Sequence, residues 1–206
     1  MEKGDPNMKS LVRSLRNLGV GAGLLLCGGL VANPALAGTT ADTITYNFLG
    51  TVTSVGPGLP QNEFRAGQSM SGSITVATRD RNSHDKSNGR YVIEDFTVTI
   101  GDFTATMAGS CGQVQIRNGS ELDRLRVKVY CLAGEDPDEI LPEDPQFFAL
   151  NLRGKSDIFS SDALPDAIPN VGAFTERNQF RLVFEGPGRA VKGVVNSLTA
   201  APSPQQ

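Results

Sequence analysis

Alternation with a period of two runs through most of this chain, and no window longer than two helical turns keeps a clean helical period. Ile44, Tyr46, Phe48 and Val52 share one face of a first predicted strand, and Met70, Ile74 and Val76 mark a second, with Gly72 between them. Tyr91 to Ile100 and Phe103 to Met107 read as two strands joined at Gly101-Asp102, a tight-turn pair flanked by β-formers. Val114 and Ile116 lead through Asn118-Gly119-Ser120-Glu121 to Leu125, Val127 and Val129, a hairpin with a longer loop. Phe148, Leu150 and Leu152 alternate next, then Phe180, Leu182 and Phe184. After Gly186-Pro187-Gly188 comes a last strand around Val191 to Leu198. About nine short strands with glycine-rich turns predict an all-β, single-domain β-sandwich, jelly-roll-like, over residues 38–200.

Three segments read as irregular. Arg79 to Arg90 is a polar loop, Gly134 to Pro145 is acidic and proline-rich, and Arg153 to Arg177 is long for a connection in a compact domain. In the last, Leu164, Ile168, Val171 and Phe174 are spaced as anchors that would drape the segment over an open edge of the sandwich. Pro165 could start a single helical turn that Pro169 would end.

Ahead of these strands, Lys9, Arg13 and Arg16 precede an apolar run from Leu18 to Ala32, and Ala35-Leu36-Ala37 gives the small-x-small pattern of a cleavage site. Residues 1–37 are therefore expected to be a signal peptide, since an apolar run of about 15 residues is short for a bilayer span. Leu26 before Cys27 does not fit a lipidation site. Residues 201–206 are expected to be a flexible tail, and the processed protein to be secreted or periplasmic, with no membrane span.

Export changes the charge balance. Removing residues 1–37 takes four of the 19 Lys+Arg and two of the 22 Asp+Glu, leaving 15 bases against 20 acids. Such a balance disfavours nucleic acid and anionic membranes, which need a basic patch. A chain of about 169 residues buries roughly 70% of its unfolded surface and needs no extra staples. Two cysteines would remain, Cys111 and Cys131, and in an oxidising compartment they are expected to form a disulfide. Strand parity points Cys111 outward and Cys131 inward, a mismatch that a bulge at Gly112 would repair.

Candidate chemistry is sparse. The single histidine, His84, sits among Arg79, Asp80, Arg81, Asn82, Ser83, Asp85 and Lys86 in a solvated loop. Gly109-Ser110-Cys111-Gly112 only superficially resembles a nucleophile elbow, so a base-activated nucleophile is not indicated and the chain is read as a non-enzyme. Glu135, Asp136, Asp138 and Glu139, with Glu143 and Asp144, could offer carboxylate oxygens to calcium, although the spacing is not that of an EF-hand. The alternative is a solvated acidic loop that discourages strand-edge pairing. Sugar-stacking surfaces use exposed Trp or Tyr. Trp is absent here, and of Tyr46, Tyr91 and Tyr130 the first two fall in core-like patterns.

Tyr46-Asn47-Phe48-Leu49-Gly50-Thr51-Val52-Thr53, Gly67-Gln68-Ser69-Met70-Ser71-Gly72-Ser73-Ile74-Thr75 and Phe96-Thr97-Val98-Thr99-Ile100-Gly101 form a recurring framework. Ser160-Ser161-Asp162-Ala163-Leu164-Pro165, Phe180-Arg181-Leu182 and Ser197-Leu198-Thr199 complete it. This framework resembles the small exported β-proteins of Gram-negative bacteria that often end in a Pro-Glu-Pro sorting tail, the PEP-CTERM type. The chain departs from them at Pro202-Ser203-Pro204-Gln205-Gln206, without a hydrophobic helix or terminal arginines. The resemblance implies architecture and no catalytic residue. The expected function is a non-catalytic structural or interaction role in the envelope or extracellular matrix, toward a protein or polysaccharide of the cell surface. A glycan- or calcium-binding module using residues 134–145 is the alternative, and a hydrolase the third reading.

Overall fold

The computed structural model describes residues 43–82, 84–135 and 144–201. The expected signal peptide, Cys27, the tail beyond residue 201, and Asp136, Asp138, Glu139 and Glu143 lie outside the described residues. Ten strands follow in order: β1 Thr43–Val55, β2 Ser69–Ala77, β3 Asn88–Ile100, β4 Phe103–Met107, β5 Gly112–Arg117, β6 Leu122–Tyr130, β7 Leu132–Glu135, β8 Pro145–Lys155, β9 Arg177–Phe184 and β10 Ala190–Ala200. The alternation read from the sequence is the burial pattern observed. In β6, for example, Asp123, Leu125, Val127 and Val129 are buried while Arg124, Arg126 and Lys128 face outward.

The architecture is not a sandwich. All pairings are antiparallel, and β2 pairs with both β1 and β3 while β1 also pairs with β10, so the sheet returns on itself. The result is a closed eight-stranded barrel with two additional short strands, β4 and β7. The same inward/outward alternation serves a sandwich face and a barrel wall, and closure additionally removes the free edges a sandwich must protect. The segment between β8 and β9 therefore has no open edge to cover.

The two extra strands prolong their neighbours. Along one edge of β3, β5 pairs with Asn88–Ile93 and β4 with Thr97–Ile100. β6 pairs with β5 and β7 with β4, so each long strand is interrupted once. The interruptions face each other, and the Cys111–Cys131 disulfide joins them with Cα atoms 6.0 Å apart. Cys111 does not share the inward face, as parity predicts, but the irregularity lies at Cys131, not at Gly112. Cys131 takes φ 52°. That left-handed residue leaves Tyr130 and Cys131 exposed in succession and returns Leu132 to the interior. Gly112 stays in register opposite Ile93 and Val129, and a Cβ there would press on Ile93 Cβ at 2.9 Å.

Nine of the ten phenylalanines fill the inside. Phe48, Phe96, Phe148 and Phe180 pack across the lumen with ring centroids 5.0–6.4 Å apart, three of the four pairs stacked and Phe96–Phe148 tilted. Two strand-interior glycines make room for them. Gly72 stands opposite Phe48, and Gly193 opposite Phe180; a Cβ at either would overlap that ring and a backbone carbonyl of the next strand. Both mouths are plugged. The β1–β2 connection inserts Phe64 against Phe103 and Phe184 at 5.5 and 5.7 Å. At the other end the 156–176 segment buries Phe159 and Phe174, whose rings lie 5.8 Å apart. Tyr46 and Tyr91 donate hydrogen bonds to the Pro165 and Asp162 carbonyls, each at 2.9 Å. The anticipated turn between Pro165 and Pro169 is instead a 3-10 turn at Val171–Ala173, started by Asn170, whose side chain accepts from the Gly172 N–H.

The fully buried Asp123 ties this plug to the wall. One carboxylate oxygen accepts from the Ile158 and Phe159 N–H groups, both at 2.9 Å, and the other from the Gly119 N–H at 3.0 Å. Three backbone donors that no ladder serves are thus satisfied by one side chain.

Candidate functional site

An eight-stranded barrel interior is just wide enough to be filled by side chains or to hold one small ligand. Here it is filled. Beneath the 156–176 plug, where Tyr46, Ile74 and Ile116 meet Leu164 and Ile168, the free space is about 10 Å³. Surface chemistry is therefore carried by the outward residues.

Those residues are not mixed. The strands β5, β6, β8, β9 and β10 hold nine Lys and Arg, and their single acid, Asp123, faces inward. Strand register lines the bases up. Arg117 stands opposite Arg124, Arg124 opposite Arg153, and Arg153 opposite Arg177. Four arginines thus form one row across four adjacent strands, at roughly 4.8 Å from strand to strand. The next outward row reads Gln115, Arg126, Asn151 and Gln179. The row after that carries Lys128 and Arg181, with Lys192 opposite Arg181 on β10. At its far end Lys128 Nζ accompanies an outward aromatic pair, exposed Tyr130 and half-buried Phe147: it donates to the Tyr130 hydroxyl at 2.9 Å and lies 5.9 Å from the Phe147 ring centre.

This row is electrostatically uncomfortable. Like charges directly opposite across a strand pair destabilise a sheet. Burial and the neighbouring guanidinium groups of Arg153, Arg126, Arg117 and Arg177 hold Arg124 below the ordinary arginine pKa. Three buried polar atoms of the wall have no hydrogen-bond partner: Arg124 Nε, Arg153 Nε and Asn151 Oδ1. Next to them the β5–β6 turn encloses a hollow of about 420 Å³, lined by Arg117, Arg124, Arg153, Gly119, Ser120 and the carboxylate-bearing Glu121. Chemically the wall offers planar guanidinium forks, whose geometry matches carboxylate, sulfate and phosphate oxygens.

The basic patch that the overall charge argued against is therefore present. A net charge says nothing about segregation, and the acids of this chain are concentrated in its loops. Strand parity alone places Arg124, Arg126 and Lys128 on one outward face; aligning them with Arg117, Arg153 and Arg177 required the register.

The residues singled out from sequence do not converge. His84 is exposed in the β2–β3 loop. In that loop Asp80 accepts from the Asn82 and Arg90 N–H groups, each at 2.8 Å, and hydrogen bonds from Ser87 hold Asp85 below its usual pKa. Of the calcium candidates, Glu135 is described, exposed at the end of β7. Asp144, across that loop, accepts from the Gly134 N–H at 2.8 Å. Among the described residues no three His, Cys, Asp or Glu side chains come together as a metal site, and no helix is long and apolar enough to cross a membrane.

No protein-family model, curated protein or solved structure matches this chain.

Proposed function

We propose that this protein is a non-catalytic component of the bacterial envelope or extracellular matrix, secreted or periplasmic, with a structural or interaction role exercised over its outer surface. The observation that carries this reading is the interior: packed phenylalanines occupy the lumen and a plug closes each mouth. A barrel built to carry a small ligand keeps its lumen open. One built to be a rigid, edge-free platform fills it. The disulfide between the two strand interruptions suits the same purpose in an oxidising compartment. The framework that resembles PEP-CTERM-type proteins is consistent with export and silent on chemistry.

The test is co-sedimentation of the purified protein with washed envelope fragments and with extracellular polymer from the same cells. Retention on either, under conditions where the protein alone stays soluble, is expected. Protein left entirely in the supernatant with both would overturn the reading.

A further inference from the structure

The outer wall just described is more specific than a platform needs to be. We infer that the face formed by β5, β6, β8 and β9 binds an acidic polysaccharide, a linear polymer bearing carboxylate or sulfate groups, along the row Arg117–Arg124–Arg153–Arg177. This rests on the surface-interaction reading and gives it a partner.

Four observations carry it. The row spans four strands, about 14 Å at the usual inter-strand spacing, so it matches repeated charges on a polymer better than a single small anion. Arg124 Nε, Arg153 Nε and Asn151 Oδ1 are buried polar atoms without partners, and all belong to this face. Their burial keeps these three atoms out of a surface polymer's direct reach, so the outer guanidinium nitrogens of Arg124 and Arg153 are the donors an anionic oxygen would meet. Beside the arginines, Asn151 and Gln179 supply amide groups of the kind a polyhydroxylated chain requires, while Gln115 already donates to Asn88 Oδ1 at 2.7 Å. The hollow at the β5–β6 turn gives one end of the row depth; Ser120 and three arginines line it together with one acid, Glu121, so the arginines outnumber the carboxylate there.

The same face suits nucleic acid less well. Single strands are held by aromatic platforms between the bases, and no aromatic residue stands in the arginine row or in the amide row beside it. The pair Tyr130 and Phe147 lies beyond, already covered by Lys128. A duplex is read by an element entering a groove, whereas this face is a barrel wall. The remaining surface is acidic on balance, because the whole chain carries −3 while this wall holds eight of the 19 Lys and Arg and no outward acid. A wide polyanion would meet that surface; a narrow flexible polymer can stay on the strip.

Titration calorimetry of the full-length protein should be run with polygalacturonate, dextran sulfate, uncharged dextran and a DNA duplex. Expected are binding to at least one acidic polysaccharide, none to dextran, and weaker binding to duplex. Affinity should fall steeply as salt rises. Arg124→Gln with Arg153→Gln should weaken polysaccharide binding at least tenfold and make the salt dependence shallower, with the melting profile showing that the variant is folded. Equal binding of dextran, tighter binding of duplex, an affinity insensitive to salt, or an unchanged double variant would each overturn the assignment. The wild-type salt series stands even if that variant misfolds. Envelope co-sedimentation separates the two proposals: if it persists while acidic polysaccharides fail to bind, only the assignment falls, and if it too is lost, the surface-interaction reading falls with it.

Discussion

Two walls of this barrel enclose the same interior and show opposite faces to solvent. On β1 and β2 the outward positions are Thr43, Thr45, Asn47, Leu49, Thr51 and Thr53, then Ser69, Ser71, Ser73, Thr75 and Ala77, without a single charge. Neighbouring hydroxyls there satisfy one another, as Thr45 and Thr75 do at 2.9 Å. On β6, β8 and β9 the corresponding positions carry arginines aligned in register. Inside, both walls send in the same kind of residue, Phe48 from one and Phe148 and Phe180 from the other, stacked face to face. The comparison teaches that barrel formation does not require the arginines. The uncharged wall closes and packs as well, so a row of like charges that weakens the sheet answers to something other than folding.

The largest effects should be indifferent to which wall is touched. Phe48→Ala and Phe148→Ala each remove a fully buried ring, and each is expected to cost about 3–5 kcal/mol by equilibrium denaturation. A cost confined to one of them would mean that the walls do not share a single core. Phe147→Ala, one residue away but outward, should change stability by less than about 1 kcal/mol.

The next effect belongs to the charged side alone. Asp123→Ala strips the acceptor from three backbone N–H groups beneath the basic wall. The loss should be about 3 kcal/mol or more, since each buried donor left unpaired costs roughly 1–3 kcal/mol. Amide exchange should rise first at Ile158 and Phe159; protection unchanged at those two amides would show that the plug is held by its apolar anchors instead.

A smaller effect appears in alkali. Burial, with Asp80 and Asp162 nearby, pushes the Tyr91 hydroxyl up to about 12, and burial raises Tyr46 further. Unfolded tyrosine ionises near pH 10. Between those values the unfolded chain has released protons that the folded protein retains, so stability falls with rising pH. It is fully present below about pH 10 and is lost as pH climbs through the folded value. Tyr91→Phe should flatten that decline in a series of melts between pH 9 and about 12.

Much of this was legible in the chain. Tyr46 and Tyr91 read as core from their alternation with Phe48 and Ile93, and the hairpins at Gly101-Asp102 and Asn118-Gly119 announced themselves by turn chemistry. Closure was not legible, because Phe48 points inward in a sandwich and in a barrel alike. The pairing of β2 with both β1 and β3, which decides between them, is a property of long-range register. β7 escaped because Leu132 follows a left-handed Cys131 that resets the alternation. The arginine row was barely visible: Arg124 sits at an outward position of a predicted strand, but Arg153 and Arg177 bounded a segment read as irregular, and only the register makes Arg117, Arg124, Arg153 and Arg177 neighbours.

The finest test of the comparison exchanges charge between the walls. Arg124→Gln removes one member of the row while keeping part of the apolar stem, and at low ionic strength it should raise stability by up to about 1 kcal/mol. The gain should fade toward 1 M salt, where the screening length drops to roughly 3 Å. Ser71→Arg places the same charge on the hydroxyl wall, between Leu49 and Thr99, with no charged residue opposite on either side. Its effect should stay within about 0.5 kcal/mol and change little with salt. Were both variants to show the same salt response, the row would be no more strained than an isolated surface arginine. Its arginines would then carry no energetic cost for an anionic partner to offset.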